Sequence, residues 1–234
     1  MKKLLFILLS ITMVACTSNK KESVSSEVIE YDCVLESDTL VLQLQYDAKV
    51  ELPTDKMLRD SVIVYGLGEE DYKKSNKRIL KNNANSWLAE LSEMGGDNSY
   101  KISVAGEITY RDSTYLSYLR RIRWEDDWII RYTYKGTIFD AKTGEVLSEE
   151  DLFGADYKRR VHKLLVKYAT PLRNDTILPS YEDNLYNNDI IQPNGNFIFR
   201  DSTVMYIFHK YEIAYGAFGN VFIDIPKREL GVEN

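Results

Sequence analysis

The sequence predicts an α+β fold, antiparallel sheet with two packed helices. Three observations carry that reading. Tyr100 to Tyr110 alternates without a break, with Tyr, Ile, Val, Gly, Ile and Tyr at even positions and Lys, Ser, Ala, Glu and Thr between them. Trp128 to Ile138 repeats the alternation with Trp, Ile, Tyr, Tyr, Gly and Ile. A period of two buries one face of a strand and wets the other. The third observation is an apolar stripe at helical spacing, Tyr157, Val161, Leu164, Leu165 and Tyr168.

The remaining elements fall around these. Val28 to Leu35 and Thr39 to Tyr46 are rich in β-branched residues and flank Glu36-Ser37-Asp38, so they read as a hairpin. Ser61 to Gly66 reads as a short strand. Glu69 to Leu91 reads as a helix stopped by Gly95-Gly96. Tyr100–Tyr110, Tyr115–Trp124 and Trp128–Ile138 then form an antiparallel meander, with Glu125-Asp126-Asp127 at its second turn. On that pattern Ile102, Val104, Ile108, Ile130 and Tyr132 are expected inside. Asp140 to Gly144 turns the chain. Ser148 with Asp151 three residues later marks a helix start, and Pro171 is expected to end that helix. Residues 174–193 read as loop, with one helical turn near Tyr181 to Tyr186. Asn196–Phe199, Thr203–His209 and Asn220–Ile225 close the chain as strands. Arg-Asp-Ser occurs at 59–61, 111–113 and 200–202 and is expected to be recurring turn chemistry.

Among 234 residues, 44% are hydrophobic and 28% charged, which excludes a disordered chain. The net charge of −6 is a poor match to a phosphate backbone, so nucleic acid is not an expected partner. Two cysteines exclude a disulfide framework.

The N-terminus carries the strongest functional signal. Lys2-Lys3 precedes an apolar run from Leu4 to Ala15, too short to span a bilayer but suited to a signal peptide. The run ends in Met13-Val14-Ala15-Cys16, which resembles the lipobox of bacterial lipoproteins. That resemblance implies a signal peptide over 1–15 and Cys16 as the lipidated first residue of the mature chain, which then anchors the protein to a membrane. Cleavage leaves 28 Lys+Arg against 36 Asp+Glu, a charge of −8. Residues 16–26 read as a polar tether, 27–98 as N-terminal strands and helix, and 99–234 as a C-terminal domain forming one compact unit with them. Thr17 is not the Asp linked to inner-membrane retention, so the expected location is the outer membrane. Lys20-Lys21-Glu22 vaguely resembles a surface-export signal of some Bacteroidetes lipoproteins. Cys33 is expected to be a small buried residue of the first strand.

No catalytic pattern emerges. His162 and His209 stand apart in sequence, and no Cys-x-x-Cys or His-x-x-x-His pair exists, so neither a metal nor another cofactor is expected. Asp140 begins a turn rather than a calcium loop, and neither a Gly-x-Ser-x-Gly nor a phosphate loop is present.

Tyr134-Lys135-Gly136, Phe139 to Glu145 and Ser148 to Phe153, followed by Tyr211 to Gly219, resemble the RsiV-type domain of unknown function. That domain ends the anti-sigma factor RsiV and the deacetylase PdaC, and occurs in many bacterial lipoproteins. The resemblance spans Ser99 to Leu230 and implies an α+β fold. In RsiV the extracellular part binds lysozyme. The expected function is therefore a lipid-anchored envelope protein that binds a protein or glycan ligand without catalysis. The alternatives are a cell-wall or glycan hydrolase, and an envelope structural component. The expected binding residues are Tyr211, Glu212, Tyr215, Gly216 and Gly219. Glycines permit close backbone approach, and tyrosines offer an apolar face with a polar tip.

Overall fold

The computed structural model describes residues 25–37, 42–68, 75–94, 99–173 and 188–232. The lipobox, the tether before Ser25, Gly95-Gly96 and the expected turn near Tyr181 lie outside the described residues.

Six strands form one sheet in sequence order: β1 (Ser26–Glu36), β2 (Gln43–Pro53), β3 (Ser99–Arg111), β4 (Tyr115–Glu125), β5 (Ile130–Asp140) and β6 (Val146–Leu147). The β1–β2 hairpin and the β3–β4–β5 meander are antiparallel. The exception is β2 beside β3, a parallel pair. Between them run α1 (Lys56–Ser61), a π-helical turn (Val62–Gly66) and α2 (Asn76–Met94). A parallel pair needs a crossover of this length. Three more antiparallel strands make a second sheet: β7 (Phe197–Phe199), β8 (Thr203–Phe208) and β9 (Val221–Pro226). Helices α3 (Glu149–Phe153) and α4 (Tyr157–Arg173) precede it, and α5 (Lys227–Leu230) follows.

The sequence pattern decides how these layers stack. Even residues of β2, β3 and β4 (Leu44, Tyr46, Val50, Ile102, Val104, Leu116, Tyr118) meet Ile79, Leu80, Ala84 and Leu91 of α2 in one core. Val161, Leu165 and Ala169 of α4 pack with Phe199, Val204, Tyr206, Phe208, Ile223 and Ile225 in a second core. The other face of the small sheet (Ile198, Met205, Ile207) packs on Leu119 of β4 and Tyr134 of β5. The order is helix, large sheet, small sheet, helix. The two sheets approach closely at Gly136, where an added Cβ would lie 2.2 Å from the Phe197 carbonyl oxygen.

Several expectations are corrected. Ser61 to Gly66 is helical, not a strand. Asp55 caps α1 by accepting the Leu58 N–H at 3.0 Å, and the chain continues in helical backbone to Gly66, burying Val62 and Ile63. Tertiary burial overrides β-propensity there. The described helix α2 begins at Asn76, and β2 at Gln43. Pro171 does not end α4, which runs to Arg173. In the last turn a proline forfeits only one intrahelical bond. Ile130 and Tyr132 are 52% and 42% exposed, because β5 runs past the edge of the small sheet that covers Tyr134, Gly136 and Ile138. Arg59-Asp60-Ser61 lies in α1. The other two Arg-Asp-Ser segments are turns, and Asp112 accepts the N–H groups of Thr114 and Tyr115 at 2.7 Å. Ser148 and Asp151 form the expected capping box. Cys33 is half-buried, not buried, against the first core, and among the described residues it has no disulfide partner.

Candidate functional site

Beyond the small sheet, the exposed end of β5 faces the segment between β8 and β9. They enclose a cavity of about 770 Å³ lined by Ile129 to Thr133 on one side and by His209 to Tyr211, Gly216, Ala217, Gly219 and Asn220 on the other. The β4–β5 turn is built by Asp126, whose carboxylate accepts from the N–H groups of Trp128 and Ile129 at 2.9 and 2.7 Å. Trp128 stands at its tip, 89% exposed.

The opposite wall depends on Tyr211. Its φ of 71° makes it the only non-glycine residue with positive φ among those described. Left-handed backbone costs an L-residue about 1–2 kcal/mol. The ring nevertheless is 63% exposed. It lies over Gly216, where a Cβ would sit 2.2 Å from the ring and displace it from this position. The Lys210 ammonium lies 5.0 Å above the same ring. Gly216 opens a 3₁₀ turn to Phe218, and Gly219 closes it with φ 67°.

Four side-chain contacts bolt this wall to the edge of β5. The Tyr134 N–H donates to His209 Nε2 at 3.0 Å, which fixes that nitrogen as the unprotonated one. Asn196 accepts the Gly136 N–H at 2.8 Å and donates to the Tyr134 carbonyl at 3.1 Å. Asn220 donates to the Tyr132 carbonyl at 3.0 Å and accepts the Lys210 N–H at 2.9 Å. Side chains thus occupy edge positions that a further strand would otherwise take.

Of the expected binding residues, Tyr211, Gly216 and Gly219 line the cavity. Glu212 does not. Its carboxylate accepts from Asn194 Nδ2 at 2.8 Å and from the His209 N–H at 2.7 Å, so it braces the turn from within. Tyr215 is 50% exposed and outside the lining. His162 is elsewhere, its Nδ1 2.9 Å from the Ile191 carbonyl. Ile129, Ile130, Tyr132, His209, Lys210 and Asn220 were not singled out as binding residues. The outer part of β5 lies about 80 residues before Tyr211 in the chain, and only the continued alternation of β5 hints that it has a face to offer.

A buried carboxylate, Glu149, sits apart from this cleft. It accepts from the Tyr206 hydroxyl at 2.7 Å, and burial pushes its carboxyl above the ordinary value. Among the described residues, no group of three or more His, Cys, Asp or Glu side chains is placed to hold a metal ion, and no helix is long and apolar enough to cross a membrane.

Residues 150–228 match the family DUF3298, described as a protein of unknown function. That match holds the closing segment Tyr211 to Gly219 but not Tyr134 to Glu149. No curated protein matches the chain. Two solved structures share the fold. A DUF3298 family member from Bacteroides fragilis is 18% identical, with a TM-score of 0.69 over 91% of this chain and 94% of its own. A DUF3298 family protein from Pseudomonas aeruginosa is 8% identical, with a TM-score of 0.61 over 90% and 94%.

Proposed function

We propose that this chain is a lipid-anchored protein of the bacterial cell envelope, attached through Cys16, whose folded part binds a protein or glycan ligand in the cleft between β5 and the Lys210–Asn220 turn, without catalysis. One observation carries the reading. The fold holds Tyr211 in a costly backbone conformation and seats its ring on Gly216, yet leaves that ring exposed beside an uncovered apolar strand end. Strain of this kind persists where function requires the geometry. Rings and aliphatic side chains left open together mark interaction surfaces.

The groups best suited to acid–base chemistry are occupied. His209 Nε2 holds the Tyr134 N–H, and Glu212 braces the turn. That arrangement favours binding over hydrolysis. The N-terminal signal supplies the address: a basic start, a short apolar run and Ala15-Cys16. The likeness to the RsiV-type domain accords with an extracytoplasmic binding role, and Thr17 favours the outer membrane.

Strand register sets how far the cleft lies from the start of β1. Ser26 pairs with Pro53, at the level of Ile138 across the sheet, whereas the β4–β5 turn lies level with Gln43 and Ser99 at the opposite end. The cleft therefore stands roughly 25 Å from the start of β1, at about 3.3 Å per strand residue.

Two experiments test this. Cys16→Ala is expected to leave unprocessed precursor and to abolish labelling by a palmitate analogue; unchanged labelling would refute the anchor. A pull-down from envelope extract with the wild type and with Tyr211→Ala tests the cleft. Ligands captured by the wild type should be lost from the variant, and identical capture by both would remove the cleft from the reading.

A further inference from the structure

We infer that the cleft takes an anionic carbohydrate chain, its sugar rings packed against the exposed parts of Tyr132 and Tyr211 and its charge held at Lys210, which lies over Tyr211. The inference rests on the cleft being the binding surface proposed above and names the ligand class.

Charge is the first argument. The chain carries 36 acidic against 30 basic residues, yet the cleft lining holds no carboxylate and presents the exposed Lys210 ammonium, while the Arg131 guanidinium lies over Trp124 and His209 Nε2 accepts the Tyr134 N–H. The adjacent acid, Glu212, is turned inward onto Asn194 and the His209 N–H. An exposed lysine in a lining without carboxylates draws anions.

The second argument separates sugar from peptide. A peptide entering such a groove gains affinity by adding a strand to the sheet edge. Along β5 that edge is held at the Tyr132 carbonyl by Asn220, at the Tyr134 N–H by His209, and at the Tyr134 carbonyl and Gly136 N–H by Asn196. A ladder would have to break these contacts. What remains accessible is side-chain surface, chiefly the exposed parts of Tyr211 and Tyr132, with the Lys210 ammonium beside them. A pyranose has the complementary build, an apolar C–H face with hydroxyls at its rim. A tyrosine offers a flat apolar face and a hydroxyl tip. A cavity of about 770 Å³ is in the size range of ligand sites.

The test is affinity electrophoresis of the full-length protein in detergent, through gels containing dextran, dextran sulfate, polygalacturonate or polyglutamate. Both anionic glycans are expected to retard it, at least tenfold more tightly than dextran or polyglutamate, and less so as salt rises. Lys210→Gln, an exposed change, should weaken retardation by polygalacturonate at least tenfold, as should Tyr211→Ala. Trp128 fluorescence supplies a second readout, since the indole stands beside the lining at the tip. Equal binding of dextran would refute the charge argument. Equal or tighter binding of polyglutamate would make the ligand an acidic polypeptide. No retardation by either anionic glycan would overturn the inference outright. If the pull-down ligand is lost with Tyr211→Ala while neither anionic glycan binds, the cleft survives and the sugar does not. If Tyr211→Ala alters neither assay, both readings fall.

Discussion

Replacing Tyr211 by glycine separates architecture from function at the cleft. Three contributions set the stability change. Relief of the left-handed conformation returns about 1–2 kcal/mol. The greater freedom of glycine in the unfolded chain costs about 0.4–1 kcal/mol. The side chain is 63% exposed, so only about a third of its area is lost from the fold. At about 25 cal/mol per Å² over roughly 60–80 Å², that loss is about 1.5–2 kcal/mol. The net is a destabilisation between zero and about 2 kcal/mol. For a domain of this size the melting temperature should then fall by no more than about 8 °C. Ligand retention should drop at least tenfold. Thermal unfolding followed by circular dichroism, beside a retention assay on the same preparation, reads both quantities. A loss above about 3 kcal/mol would show that the ring belongs to the core and that exposure has been misjudged. Full retention with unchanged stability would show that the strain at Tyr211 serves no binding role.

The other expectations concern the frame that carries the cleft. Gly136→Ala places a methyl 2.2 Å from the Phe197 oxygen and 2.6 Å from its carbonyl carbon, both backbone atoms that cannot rotate away. It should cost about 1–3 kcal/mol in urea unfolding, and an unchanged midpoint would mean that β7 does not cross β5 there. Ile130→Ala should cost under about 1 kcal/mol whereas Ile207→Ala, fully buried, should cost about 2–5 kcal/mol; equal costs would put the end of β5 back inside. Burial raises the Glu149 carboxyl above 4.5. The folded state then holds that proton more tightly than the unfolded chain, so this group's contribution to stability declines as pH rises from 4.5 through the folded-state value. Glu149→Gln keeps an acceptor for the Tyr206 hydroxyl and should flatten that decline in a melting series against pH; an identical slope would dissociate Glu149 from it.

How far the sequence discloses this protein depends on which forces are local. The alternation of β3, the stripe on α4 and the Ser148–Asp151 cap follow from neighbours within a few residues, and each is found where the pattern puts it. Val62 to Gly66 is the opposite case. Its β-branched run favours a strand, but Asp55 starts a helix seven residues earlier and burial of Val62 and Ile63 carries it through. The parallel β2–β3 pair joins Gln43 to Ser99 across the whole crossover, a long-range contact that no window contains. The cleft shows the same division. The Tyr211 to Gly219 segment draws notice through its tyrosines and glycines. Its facing wall is set by docking with β5, through His209, Asn196 and Asn220, and those partners are ordinary residues in sequence.

The exposed end of β5 is where pattern and packing part company. Alternation there continues through Tyr132 and Ile130 as though a core awaited them, but the small sheet ends at Tyr134. Loose excess would leave such an end mobile. Instead both walls are held before any ligand arrives. Arg131 lies 4.8 Å over the Trp124 ring, Trp124 packs against Tyr100 with centroids 5.7 Å apart, and Asp126 locks the turn. Across the gap, Gly216 seats Tyr211 while Asn220 and His209 fasten the turn to the strand. A surface already ordered loses little conformational entropy on binding. The apolar face that β5 fails to bury within the chain is thereby kept in shape for something outside it.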